Sequence, residues 1–187
     1  DQLFDVAGAV QAAAAQLGGQ ESWEAAGDYT VTLPTGSYYL TQATLAGASA
    51  IHIAGNVSLF VDGDVNLAGA SHWDLDDTAS LDLFVSGDAN IAGLFEAGAT
   101  RPNALRVFIG GTGTSSLNIS GAATFAGSIY APRATVALSG TTKIAGALFA
   151  KSLDASGDLT VVHDTNNTAP TSCEAPPSPS QDPVIVE

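Results

Sequence analysis

Hydrophobic and polar positions alternate along most of the chain after residue 28. Thr, Val, Ile, Leu and Phe are interleaved with small or polar residues, and Gly returns every few positions. Alternation with a period of two, broken by frequent Gly, is typical of short β-strands joined by tight turns. The pattern therefore predicts an all-β region, and it shows no second helix after the first residues.

Residues 2–17 follow a different pattern, because their apolar positions fall near one helical stripe. These positions are Leu3, Phe4, Val6, Ala7, Val10, Ala14 and Leu17. The Gly18-Gly19 pair is typical of a helix C-terminus. We predict one short amphipathic capping helix within an N-terminal unit, residues 1–22.

Internal repeats are the most informative feature of the β region. Residues 58–69 (SLFVDGDVNLAG) match residues 82–93 (DLFVSGDANIAG) at a shift of 24, and residues 125–131 match 144–150 at a shift of 19. Stacked copies form apolar columns at alternate positions, an outward Asn66/Asn90/Asn118 column, and a closing Gly in each copy. The closing glycines are Gly69, Gly93, Gly121, Gly140 and Gly157, which predicts corners that need positive φ or a close backbone approach.

A second column is aromatic, and its neighbours on both sides are apolar as well. Its members are Phe60, Phe84, Phe108, Tyr130 and Phe149. A strand that is apolar on both faces is expected to be buried on both sides. One side would face the core, and the N-terminal helix or a neighbouring subunit would cover the other. These five residues are therefore candidate core or interface residues.

Together these features predict a single-stranded β-solenoid, a parallel β-helix-like fold, of about six coils over residues 23–165. A β-sandwich is the competing all-β fold, but it would not produce aligned columns at a regular shift. Residues 166–187 form a Pro-rich extended tail. The tail ends in Val184, Ile185 and Val186, a β-prone run that we predict acts as a clasp on its own chain or a neighbour.

Composition excludes several classes of function. The 187 residues carry a net charge of −14, which opposes binding to nucleic acid or to an anionic membrane surface. No apolar run is long enough for membrane insertion. The single cysteine, Cys173, rules out a disulfide framework within one chain, and the lack of Met indicates a processed or trimmed product.

Thirteen of the nineteen acids lie in residues 1–100, where there is no Lys or Arg. Carboxylates are suitable Ca²⁺ ligands, so the clustered acids form a candidate calcium site. These residues are Asp62, Asp64, Asp74, Asp76, Asp77 and Asp88. The alternative is a solvated acidic surface with Asp in turns, because no known calcium-loop pattern is present.

No constellation in the sequence indicates an enzyme. The histidines, His52, His72 and His163, are predicted to lie far apart in the repeat, and a short solenoid offers little room for a substrate groove. An outward Asn column is also compatible with glycan or ice binding, although Asn ladders stabilise solenoids by themselves.

Several motifs resemble a bacterial cell-surface β-solenoid domain family. The most specific are GNVSLFVDGDVNLAG, residues 55–69, and GSIYAPRATVALSG, residues 127–140. The resemblance covers roughly residues 33–165 and departs from the family at the acidic insert 71–80 and in the Pro-rich tail. The family occurs in proteins associated with type IV pilus assembly and in large surface proteins. It implies a solenoid fold, an extracellular address and a structural or adhesive role, with no catalytic residue.

The sequence therefore predicts a non-enzymatic, secreted or surface-displayed structural protein. It would self-assemble as a homo-oligomer or filament, or serve as an adhesive spacer, through solenoid stacking and tail docking. The alternative is a monomeric extracellular module that binds Ca²⁺, a surface glycan or ice.

Overall fold

The structure, a computed structural model, describes residues 5–17, 21–98, 101–111 and 113–162. One helix, α1 (Val6–Leu17), precedes the strands. The strands are β1 (Glu21–Ala25), β2 (Tyr29–Leu33), β3 (Gly36–Ile53), β4 (Asn56–Val61), β5 (Val65–Leu75), β6 (Ser80–Val85), β7 (Ala89–Gly98), β8 (Leu105–Ile109), β9 (Ser116–Ala155) and β10 (Asp158–Val162). A 3₁₀ turn, Pro102–Ala104, comes before β8.

The strand pairings given for the described residues are all parallel, and each joins positions in successive coils. A full coil contributes three strand segments, and the coils stack into a β-solenoid of about five turns. The predicted fold class is thus confirmed. The sequence predicted about six coils, close to this number, and the coil between Asn90 and Asn118 is a long one of 28 residues. The predicted tail lies outside the described residues.

The first segment of each coil shows how the sequence alternation builds the core. In Asn56–Val61, the side chains of Val57, Leu59 and Val61 point inward and are buried, whereas Phe60 lies on the outer face. The same pattern recurs in Ser80–Val85 one coil later. Stacking of such inward residues forms one continuous apolar core, which is the main source of stability in a solenoid.

Glycines form a corner that runs along the solenoid, at the end of the second segment of each coil. Gly69 and Gly93 lie in register and have φ values of +106° and +107°. A Cβ atom on Gly93 would lie 2.3 Å from the carbonyl oxygen of Gly69. Positive φ and this close approach both require Gly, so the corner predicted from the sequence is confirmed.

Helix α1 lies against the side of the solenoid and contacts β3, β4 and β6. Its first turn is capped by Asp5, whose Oδ1 accepts a hydrogen bond from the backbone N–H of Gly8 at 3.1 Å. Val6, Ala7, Val10 and Ala13 are its buried residues. The helix therefore runs across successive coils and covers part of their outer face.

Candidate functional site

The five aromatic residues of the predicted column stand together on the outer face of the first strand segments. We call this surface the aromatic flank. Phe60 and Phe84 stack with ring centroids 4.8 Å apart, and Phe84 and Phe108 do so at the same separation. Tyr130 lies tilted against Phe108 at 6.0 Å and stacks on Phe149 at 5.4 Å. The column exists because these residues occupy equivalent register positions in successive coils.

The aromatic flank is covered unevenly. Ala9, Ala13 and Leu17 of α1 border a cleft of about 290 Å³ together with Phe60 and Phe84. At the other end of the flank, the side chain of Phe149 is 54% exposed. The prediction that the helix would cover part of this face therefore agrees with the geometry. The rest of the flank runs to the open end of the solenoid.

Tyr39 extends the aromatic flank at its N-terminal end, because it pairs in register with Phe60. Its hydroxyl donates a hydrogen bond of 2.9 Å to Oδ2 of Asp62. Burial raises the pKa of Tyr39 above its ordinary value, and the hydrogen bond to Asp62 and the charge of that carboxylate raise it further. The sequence interpretation did not include Tyr39, although the Tyr38-Tyr39 pair precedes the first repeat by a full coil.

Three of the six candidate calcium ligands, Asp62, Asp64 and Asp88, lie at the corner that follows the aromatic flank. Oδ1 of Asp64 accepts a hydrogen bond from the backbone N–H of Asp88 at 2.9 Å. Oδ1 of Asp88 in turn accepts bonds from the backbone N–H and the hydroxyl of Ser116, at 2.7 and 3.1 Å. These carboxylates thus tie one coil to the next, which is a structural role at tight turns.

The other three candidates, Asp74, Asp76 and Asp77, lie at the third strand segment and the turn after it. Asp74 is in register with His52. Nδ1 of His52 lies 3.5 Å from Oδ2 of Asp74, and Nε2 lies 3.4 Å from Oδ1 of Asp76. The carbonyl oxygen of Asp77 accepts a hydrogen bond from Nε of Arg101 at 3.0 Å.

His72 lies on the same outer face as His52, with Nδ1 3.4 Å from Oε2 of Glu96. The expectation that the histidines are far apart is therefore wrong for His52 and His72, since the coil register brings them onto adjacent coils. His163 lies outside the described residues. No group of three or more His, Cys, Asp or Glu side chains within the described ranges is placed to hold a metal ion.

The predicted outward Asn column forms a hydrogen-bonded ladder. Nδ2 of Asn90 donates to Oδ1 of Asn66 at 3.0 Å, and Nδ2 of Asn118 donates to Oδ1 of Asn90 at 2.8 Å. Each side-chain amide is satisfied mainly by the next one, as in stacked Asn ladders of other parallel β structures. The ladder therefore joins the side-chain amides of successive coils and stabilises their stacking.

The C-terminal end of the described solenoid is open and apolar. The last coil comprises residues 146–162, and β10 pairs only with β9 among the described strands. Phe149, Leu153, Val161 and Val162 are large apolar residues that are 48–54% exposed. Val184, Ile185 and Val186, the predicted clasp, lie outside the described residues. Among the helices that the structure describes, none is long and apolar enough to cross a membrane.

Parallel coils, three segments per coil, a glycine corner and stacked aromatic and Asn columns define a β-solenoid protein. The chain belongs to the family described as Domain of unknown function (DUF7305), whose model matches residues 5–168. No curated protein and no solved structure matches the chain significantly.

Proposed function

We propose that this protein is a non-enzymatic structural protein of the bacterial surface or extracellular matrix. It acts as a filament subunit or adhesive spacer that assembles through the ends of its solenoid. The single observation that carries this proposal is the open last coil, residues 146–162, with its exposed apolar side chains. The surface location comes from the sequence motifs that resemble a bacterial surface domain.

An open solenoid end combines two features that favour association. The outer edges of β9 and β10 leave backbone N–H and C=O groups without a partner strand among the described residues. The exposed side chains of Leu153 and Val161 add apolar surface at the same place. Another strand docked on this end would satisfy the backbone groups and bury the apolar surface.

The arrangement of polar residues also favours a structural role. Asp64 and Asp88 bond to the next coil, and the Asn ladder links amides of successive coils. Asp64, Asp88 and the Asn column, which the sequence offered as candidate binding groups, are thus engaged in joining the coils. Filaments and spacers need such a rigid, regular body.

The tail completes the proposal as a clasp. Its run Val184, Ile185 and Val186 is apolar and β-prone, and a chain of this kind can add a strand to an open sheet edge. We expect deletion of residues 166–187 to abolish polymers while leaving the far-UV β signal intact. Truncated protein that polymerises normally would remove the clasp from the proposal.

The proposal is tested on the full chain by light scattering and negative-stain microscopy, with and without Ca²⁺. We expect filaments or large oligomers. The Val161→Lys variant should lose them, because it places a charge on the exposed apolar end. Thr124→Lys, an exposed position within the solenoid, is the matched control and should assemble normally. A monomer of 18.7 kDa under every condition would contradict the proposal and favour a monomeric binding module for Ca²⁺ or glycan.

A further inference from the structure

The two ends of the solenoid carry matching strand segments. At the C-terminal end, the second and third segments of the last coil lie at residues 151–155 and 158–162. At the N-terminal end, the same positions are occupied by β1 and β2, and among the described strands each of them pairs only with β3. Because all these strands are parallel, the last coil of one copy has the strand direction that the first coil of another copy requires.

The inward side chains at the two ends also match. Trp23, Ala25, Tyr29 and Val31 are half-buried apolar residues that pack on the core from the first coil. Following the register through successive coils places Leu153, Ala155, Leu159 and Val161 in the same four columns at the other end. If the last coil of one copy met the first coil of another, apolar residues would thus contact apolar residues across the junction.

We propose that the last coil of one copy docks on β1 and β2 of a second copy, so that the parallel sheet and the apolar columns continue across the junction. In this register Leu153 lies beside Trp23, and Val161 lies beside Val31, of the second copy. This inference rests on the proposed function and specifies its partner. The contact joins two different surfaces of the same chain, so its repetition produces an open filament and not a closed dimer.

Among the described residues, the same register leaves one strand position on the aromatic flank unfilled. The last strand segment of the aromatic flank is residues 146–150. The first is Gly36–Leu40, which belongs to the second coil, because the described part of the first coil begins at β1. Docking of β1 and β2 would therefore separate the strand of Phe149 from the strand of Tyr39 of the second copy by two strand spacings, roughly 9.6 Å.

Disulfide trapping tests the polarity and the register. Thr30 and Thr160 are exposed and belong to the same outward column. In the docked pair they would lie side by side on adjacent strands, within the Cα separation of a disulfide. The Thr30→Cys and Thr160→Cys variants are made separately in a full-length Cys173→Ser background, mixed, and oxidised. We expect the mixture to form crosslinked pairs at least about tenfold faster than either variant alone, because docking raises the effective thiol concentration.

The matched control is a mixture of the Thr30→Cys variant with a Thr124→Cys variant in place of the Thr160→Cys variant. Thr124 belongs to the same column but lies within the solenoid, so its mixture with Thr30→Cys should stay uncrosslinked. Self-crosslinking of Thr160→Cys alone would show that the C-terminal ends of two solenoids contact each other. That result would overturn the inference but would still support self-assembly. Polymers without any crosslink would also overturn it. Absence of polymers in the parent chain would instead contradict the proposed function.

Discussion

Asn90 lies one coil above Asn66 and donates a hydrogen bond from Nδ2 to Oδ1 of Asn66 at 3.0 Å. Asn90 also accepts the bond from Asn118, so it takes part in two rungs of the ladder, whereas Asn66 takes part in one of them. Removing one partner of such a partly buried amide lowers the free energy of unfolding of the protein, because the remaining group is left without a hydrogen bond.

We therefore expect Asn90→Ala to lower the free energy of unfolding by about 1–3 kcal/mol, and Asn66→Ala to lower it by roughly half as much. Urea unfolding followed by far-UV circular dichroism would measure both. An equal decrease in the free energy of unfolding for both variants would show that stability does not depend on the number of Asn–Asn hydrogen bonds removed.

The glycine corner gives a second prediction. Gly93→Ala would place a Cβ 2.3 Å from the carbonyl oxygen of Gly69 and would force a non-Gly residue to a φ of +107°. We expect a loss of about 2–4 kcal/mol, or failure to fold. Gly27→Ala is the matched control, since a Cβ at Gly27 meets no atom within 4 Å. Thermal unfolding would compare the two, and an equally stable Gly93→Ala protein would contradict the assignment of this corner.

The repeats explain how far the sequence predicts this structure. Equal spacing places equal residues in one column, so the aromatic flank, the Asn ladder and the glycine corner could all be derived from aligned copies. The contacts of His52 with Asp74 and Asp76 could not, because these residues are not repeated and only the coil register brings them together. The position of α1 on the flank is likewise a matter of tertiary packing. The six aspartates are close in sequence, but a solenoid distributes neighbouring residues over different sides.

Different residues of the aromatic flank should contribute to stability and to assembly. Phe84 stacks between Phe60 and Phe108 beside α1, so Phe84→Ala should cost about 2–4 kcal/mol. Phe149 is 54% exposed, so Phe149→Ala should cost less than about 1 kcal/mol and should act mainly on assembly. Chemical unfolding and light scattering on the same samples would separate the two effects. A larger loss of stability for Phe149→Ala would contradict the structure.

The hydroxyl of Tyr39 predicts a dependence on alkaline pH. Its folded-state pKa is raised above 10.0, first by burial and then by Asp62. The unfolded chain therefore releases this proton at lower pH than the folded chain, and stability falls as the pH rises through the folded-state pKa.

We expect Tyr39→Phe to lose less stability than the parent protein between neutral pH and the alkaline side of 10.0. Tyr38→Phe is the control, because the Tyr38 hydroxyl donates to the carbonyl oxygen of Pro34 and not to a carboxylate. Chemical unfolding at neutral pH and on the alkaline side of 10.0 would compare the stability of both variants with that of the parent. Identical pH profiles for Tyr39→Phe and the parent would show that this hydroxyl contributes nothing to the alkaline transition.

End-to-end docking also predicts that salt promotes assembly. In the proposed register Glu24 meets Asp154, and Asp28 meets Asp158, of the neighbouring copy. Like charges on adjacent strands are each unfavourable by about 0.2–1 kcal/mol. Screening shortens the Debye length to about 8 Å at 0.15 M ionic strength, so polymers should form more readily as NaCl is raised.

The double variant Asp154→Asn, Asp158→Asn should assemble at a lower salt concentration than the parent. The control, Asp74→Asn with Asp76→Asn, changes the net charge equally but lies on the third strand segment and its turn, away from both ends. Light scattering across a series of NaCl concentrations measures the midpoint of assembly for each protein. If both double variants shift the midpoint equally, total charge controls assembly and the carboxylates at the ends have no special part in it.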